Sequence, residues 1–393
     1  MTSVVDGTRF ARAAATRQAI ITAAAELFAQ QGYRFVSLRE IAVRAGISHP
    51  AVLKHFADKE ELLAEVAKRY DRAPAAEGCD PFFAALTGEA SVPPHPLHGW
   101  MRDRLAAAVA ERTRELAEGR LGDGRDPGAE ATRLVAARAG LRILHRYLPE
   151  RVDVGRALDA HGRLIARPAG WRTPGDERRG SAAPPGPSLP PLIEDEPEAP
   201  AGYRTGRARR AAIVDDAMTL FAREGYGDTS LQDIATRVGV SKSALYHHFP
   251  SKDALLLAVL RERDHRIDDT VADSPARSAA EVLRGFADAA AANERDQPGL
   301  IELYAVISSE ATVADHPAHA HFEHRFAQAL DGFTAMFQSA QDAGDLPAHR
   351  DPAHEALWVL ALWDGVQYLW LYDQGSVDVA GALRTHLTDV LPG

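Results

Sequence analysis

Residues 230–249 read SLQDIATRVGVSKSALYHHF, and residues 37–56 read SLREIAVRAGISHPAVLKHF, the same segment 193 positions earlier. Each opens on a serine with an acid three residues later, Ser230 with Asp233 and Ser37 with Glu40, the spacing of a capping box. In the earlier copy Leu38, Ile41, Ala42 and Ala45 line one side of a short helix that stops at Gly46. A second serine, Ser48 or Ser241, then starts another helix after a turn of a few residues. Two short helices joined by a glycine-containing turn form a helix-turn-helix, whose second helix can enter the DNA major groove. On that helix Val52 and Phe56, like Leu245 and Phe249, lie four apart and are expected to face inward.

The likeness extends on both sides. Residues 20–63 match 213–256 without a gap, with about 20 of 44 positions identical. Ile20, Ala24, Leu27 and Phe28, and again Ile213, Ala217, Leu220 and Phe221, form the apolar stripe of a preceding helix. Gly32 and Gly225 sit at C-cap distance and are expected to end it. A second match, 119–161 with 344–386, runs at an offset of 225 with about 17 of 43 positions identical. Both ends of a unit are therefore duplicated. The first unit is 32 residues shorter in between, in the stretch expected to match residues 297–337. Residues 166–206, dense in Pro, Gly and charge, read as a linker between the units.

Composition sets the class. Of 393 residues, 46% are hydrophobic and 25% charged, and helix formers dominate, which points to a helix-rich globular chain. Cys79 is the only cysteine, so no intrachain disulfide can form. The N-terminus lacks a signal-peptide pattern, and the apolar run 356–372 is interrupted by Asp364, Gly365 and Gln367. A cytoplasmic protein without a membrane span is expected. The net charge of -10 argues against general nucleic-acid binding. The two repeated heads are nonetheless locally basic, with ten Lys/Arg against six Asp/Glu over 9–69 and ten against seven over 204–263.

The runs LFAQQGY, SLREIA, AGIS and HFADKEELL, and still more closely IVDDAMTLFAREGYGDTSLQDIATRVGVSKSALYHHFPSKDALL, resemble the DNA-binding domain of the tetracycline-repressor (TetR) family of bacterial transcription regulators. The resemblance implies an all-α fold of two such units, each a three-helix head followed by a helical regulatory and dimerisation domain. The expected boundaries are a flexible arm 1–13, a head 14–74 with its helix-turn-helix at 37–56, and a shortened regulatory domain 75–165. After the linker 166–206 come a head 207–267 with its helix-turn-helix at 230–249, and a regulatory domain 268–393. By resemblance, DNA contacts map in the second unit onto Ser230, Lys242, Ser243, Ala244, Tyr246, His248 and Lys252. In the first they map onto Ser37, His49, Pro50, Ala51, Leu53, His55 and Lys59, with Lys54 adding charge beside Leu53. Leu53 departs from the family's usual tyrosine; it loses a phosphate contact and gains a side chain suited to a thymine methyl. The serines also serve as helix caps, and His55 and His248, beside a buried Phe, suit packing as well as phosphate.

In the family the last two helices of each unit form a bundle with a partner subunit. Both copies keep them, here 127–147 with 152–165 and 352–372 with 376–391, so the resemblance implies an intramolecular pseudo-dimer, with a higher homo-oligomer left open. The expected partners are operator DNA and a moderately hydrophobic effector bound by the second unit alone. Leu303, Tyr304, Ile307, Phe326, Phe333, Phe337, Trp363 and Tyr368 are its candidate lining, with plain core packing the competing account. His316, His319, His321 and His324 form the densest histidine run, without the cysteines or HExxH pattern of a metal site; neither metal nor cofactor is expected. No phosphate-binding glycine loop or nucleophile elbow suggests an enzyme. A regulator whose first head only pairs with the second is the nearer alternative.

Overall fold

Seventeen helices and no strand make up the described residues of the computed structural model, which are 2–71, 81–91, 93, 95–119, 121–173, 204–272, 278–296 and 298–392. The first unit contains α1 (Thr2–Gln31), α2 (Leu38–Arg44), α3 (His49–Val52), α4 (Lys59–Asp71), α5 (Pro81–Glu89), α6 (His98–Glu118), α7 (Pro127–Tyr147) and α8 (Val154–Ile165). The second contains α9 (Arg204–Asp228), α10 (Leu231–Val238), α11 (Lys242–His248), α12 (Lys252–Ala272), α13 (Ala279–Asp296), α14 (Pro298–Glu310), α15 (His319–Asp342), α16 (Pro352–Tyr372) and α17 (Val379–Val390). No helix among the described residues is long and apolar enough to cross a membrane.

The repeated Arg-Asp-Pro triplets explain where the bundle helices begin. Asp126 and Asp351 cap α7 and α16 by accepting the N–H of Ala129 and Ala353, and the proline that follows each lacks the N–H a first helical residue would leave unsatisfied. Asp153 and Asp378 cap α8 and α17 in the same way. α7 and α16 then cross at small residues. A Cβ on Gly140 would lie 2.0 Å from the Ala361 carbonyl oxygen, and one on Gly365 would lie 1.7 Å from that of Ala136. These four positions correspond in pairs at the offset of 225, so each glycine meets the counterpart of the alanine that meets the other. That is the reciprocity of a twofold contact.

The base of the bundle is charged and buried. Arg125 bonds Glu130 at 2.8 Å and Asp389 at 2.7 Å, while Arg350 bonds Glu355 at 2.9 Å and the same Asp389 at 2.8 Å. Beside them His161 stacks flat on Trp358, 3.5 Å between ring centroids.

Several sequence expectations are corrected here. Residues 2–13, expected as an arm, belong to α1, where the Ala-rich run ARAAA favours continued helix. Gly32 ends α1 with φ 81°, but α9 runs through Gly225 to Asp228; a glycine permits the left-handed cap without imposing it. Residues 166–173, assigned to the linker, are docked. Arg172 donates to the carbonyls of Gly344, Asp345 and Pro392, and Gly170 N–H donates to Asp389. Residues 174–203, the rest of that linker apart from the start of α9, lie outside the described residues. A third stretch of repeat, TGEASVPPHPLH (87–98), matches SSEATVADHPAH (308–319) at an offset of 221. The offset climbs by 28 before residue 87 and by only 4 afterwards, so most of the shortening removes the equivalent of α13. α5 and α6 are the first unit's versions of α14 and α15, so most of the shortening falls before the match to residues 297–337 and not, as expected from the sequence, within it.

Three buried histidines and two half-buried ones are expected to make the fold acid-sensitive. Burial pushes His95 and His386 down to about 3 and His316 to about 4, and also lowers His161 and His354. An unfolded histidine binds its proton near 6.5. The folded state resists protonation, so their stabilising contribution is present above about 6.5 and is lost as pH falls toward the folded values. The thermal midpoint, followed by calorimetry, should decline steadily from pH 6.5 to pH 5. A flat profile over that range would contradict burial of these rings.

Candidate nucleic-acid interface

Both heads build the same frame. Ser37 Oγ accepts the Glu40 N–H at 3.2 Å while Glu40 accepts the Ser37 N–H at 2.7 Å; Ser230 and Asp233 repeat the box at 3.2 and 3.0 Å. Gly46 (φ 69°) and Gly239 (φ 70°) supply the left-handed residue between the two helices of each motif, a conformation that a side chain would strain. Ile41, Ala42, Val52 and Phe56 are buried, as are Ile234, Ala235, Leu245 and Phe249, which fixes which faces remain outside.

The outward faces differ. On α11 Lys242, Ser243 and Tyr246 are exposed and Ala244 and His248 half-buried; the Lys242 ammonium lies 5.9 Å from the Tyr246 ring centroid. On α3 and the turn after it Pro50, Leu53 and Lys54 are exposed, and His49, Ala51 and His55 half-buried. Leu53 and Tyr246 are 46% and 44% exposed, so corresponding positions present an apolar and a phenolic side chain to the same side. The recognition helices also differ in build. Ser241 accepts the Ala244 N–H at 3.1 Å and opens seven helical residues. Ser48 makes no side-chain cap bond, and α3 has only four residues. Burial, and next the neighbouring His247, lowers the pKa of His248 and favours its neutral ring.

Lys59 occupies a position that sequence alone does not foretell. Its ammonium donates to the carbonyls of Tyr33 (2.9 Å), Arg34 (3.4 Å) and Val36 (3.0 Å), and lies 4.3 Å from the Tyr33 ring centroid. It therefore braces the turn before α2. The same turn offers the N–H groups of Tyr33 and Arg34 to the buried Glu89, at 2.9 and 2.8 Å. Lys252, at the corresponding start of α12, is half-buried. Arg39 and Gln232, in the first turn of α2 and α10, are also exposed.

The eight residues proposed to line an effector site are all buried. Tyr304 and Phe326 stand together with Phe322 and Tyr147, whereas Phe333 and Trp363 gather around Phe286. The sequence reading missed the polar groups among them. Asp264 is bonded by Arg263 at 2.8 Å and Arg325 at 3.1 Å, and Arg325 also donates to Tyr304 at 2.7 Å. Asp364 is buried, and burial pushes its carboxyl up to about 7. Of the histidine run, His316 accepts the Ala318 N–H, His319 Nδ1 lies 2.8 Å from the Ala311 carbonyl, His321 faces Asp264 at 3.4 Å and His324 is exposed. They serve separate partners.

Asp364 gives a second pH test, of opposite sign. Its folded pKa lies above the unfolded value, so its contribution is intact below about 4 and is lost as pH rises through about 7. Relative to the wild type, Asp364→Asn should gain thermal midpoint progressively as pH rises from about 4 to about 7. An unchanged slope in the variant would show that the carboxyl is not held in its neutral form.

Comparison with known proteins places these features. The sequence model for bacterial regulatory proteins of the tetR family matches residues 20–66 and 213–259. The A-factor receptor protein of Streptomyces griseus is 27% identical over 181 residues, 46% of this chain and 62% of that protein. The transcriptional repressor Rv1474c of Mycobacterium tuberculosis is 40% identical over 60 residues, 15% of this chain and 32% of that protein. The matched parts therefore span about three-fifths and one-third of those relatives. Among solved structures, a transcriptional regulator from Saccharomonospora viridis in complex with choline covers 47% of this chain and 95% of its own, at 22% identity and a TM-score of 0.41.

Proposed function

Since the chain carries two domains of the tetR family of bacterial regulatory proteins in tandem, we propose that it is a sequence-specific DNA-binding transcription regulator. In this reading it is a ligand-released cytoplasmic repressor whose two units pair within one chain as a covalent pseudo-dimer. The heads comprise residues 14–74 and 207–267 and the regulatory domains 75–165 and 268–393, with the effector held by the second. The reciprocal crossing of Gly140 and Gly365 on Ala361 and Ala136 supports pairing of the units. The observation that carries the DNA reading is the pair of like frames with unlike outward faces, Lys242, Ser243 and Tyr246 against His49, Pro50 and Leu53. A receptor and a repressor among the relatives support release by a ligand.

Unlike faces imply unlike half-sites, about one helical turn or a multiple of it apart. Footprinting on a scanned operator should find one half-site that prefers each head. Equal affinity for a palindrome of either half-site would overturn the asymmetric operator. Lys242→Ala should weaken binding across sequences and lower the salt slope by about one. The short α3 and the exposed Leu53 favour a second reading, in which the second head alone binds DNA. Protection confined to one half-site would select it.

A further inference from the structure

We propose that Tyr372, at the end of α16 in the second unit, is a positioning residue for the first head, so that the second unit's regulatory domain controls the other unit's DNA reader. The Tyr372 ring is packed into the first head's apolar cluster and stacks on His98, 5.2 Å between centroids. Its hydroxyl donates to the Thr87 carbonyl at 2.7 Å, in the last turn of α5. Two residues on is Glu89, whose carboxylate takes the N–H groups of Tyr33 and Arg34. Lys59 takes the carbonyls of the same turn, so the segment feeding the helix-turn-helix is held from both sides. α5 is thus the link between Tyr372 and the head.

Other contacts from the second unit bear on the same turn. Ser309 Oγ donates to the Ala85 carbonyl at 2.9 Å, and a Cβ on Gly88 would lie 2.0 Å from the Ser309 Cβ, which leaves the turn little room to shift independently. Arg34 itself pairs with Glu310 at 3.9 Å. One turn before Tyr372, the hydroxyl of Tyr368 lies 3.0 Å from Ser308 Oγ, and Asp364 a turn earlier is within the electrostatic reach of Arg325. Any rearrangement of α14 against α16 around a ligand therefore displaces the groups that grip α5. The reverse link uses corresponding residues: Tyr147 donates to the Ser308 carbonyl and stacks on His319. The duplication kept this tyrosine-to-carbonyl step in both directions.

The inference rests on the reading that the first head meets DNA, and its test has a readout independent of DNA. In the full chain, Tyr372→Phe removes the hydroxyl and keeps the ring. Hydrogen exchange at Tyr33 and Arg34 should accelerate about fivefold, the scale of one ordinary hydrogen bond. Tyr147→Phe, which frees the Ser308 carbonyl on α14 and leaves the bond to Thr87 in place, should accelerate them less. In footprints, Tyr372→Phe should weaken protection at the first head's half-site and spare the second. Unchanged exchange in Tyr372→Phe, or equal acceleration in both variants, would overturn the link. A wild-type chain that protects one half-site only would refute DNA reading by the first head, while the exchange comparison would still decide the link.

Discussion

Gly365→Val should separate the two units. A Cβ at this position meets the carbonyl oxygen of Ala136 at 1.7 Å and its carbon at 2.4 Å, both backbone atoms of a regular helix that no rotamer change can move aside. Overpacking a core ordinarily costs ~1–3 kcal/mol because side chains shift to make room. Here the helices themselves must part, which withdraws α7 and α16 from each other along the crossing and exposes apolar surface at about 25 cal/mol per Å². We expect a loss of ~3 kcal/mol or more, a lowered thermal midpoint, and unfolding in two steps as the units lose their shared core. Operator affinity should fall at least tenfold, because two heads that no longer share a frame bind as tethered singles. Gly162→Ala is the control: a Cβ there meets nothing within 4 Å, and alanine favours the helix. If Gly365→Val unfolds in one step at the wild-type midpoint, the units are not joined at this crossing.

Much of this architecture is written in short-range signals. The capping boxes, the turn glycines Gly46 and Gly239, and the inward pairs Val52 with Phe56 and Leu245 with Phe249 all follow from chemistry within a few residues, and the structure realises each. The starts of α7 and α16 follow equally from Asp-Pro pairs. What the sequence concealed depends on distant partners. Lys59 resembles any exposed lysine at a helix start until Tyr33, Arg34 and Val36 are folded onto it. Arg263, Asp264 and Arg325 look like a solvated helix face, and only tertiary packing makes them a buried, ion-paired group. The stretch containing Glu89 and His98 was legible in principle, since half of its twelve positions match 308–319. It was hidden because its offset lies between those of the two longer matches.

Asp389→Ala should destabilise the chain by ~3–5 kcal/mol, the usual consequence of leaving a buried charge without its partner. Three guanidinium groups, Arg125, Arg133 and Arg350, meet three carboxylates, Glu130, Glu355 and Asp389, at the base of the bundle. The side chains of Arg125 and Arg350 are 3% and 2% exposed, so water cannot replace what Asp389 supplies. Asp389 also accepts the Gly170 N–H, so its loss should loosen the docked end of the segment that leaves the first unit. The counterpart of Asp389 in the first unit is Leu164, which makes the arrangement one-sided: two first units facing each other would set two Arg125 side chains against leucines. Buried charge thus disfavours the pairing of two first units, whereas within one chain Arg125 finds its carboxylate on the second unit. Asp389→Leu should be as damaging as the alanine. Adding Arg125→Met should restore most of the midpoint, because two guanidinium groups then face two carboxylates and the new neighbours are apolar. Thermal unfolding of the three variants at pH 7 decides it, and no rescue by Arg125→Met would show that Asp389 acts through Arg350 or Gly170 alone.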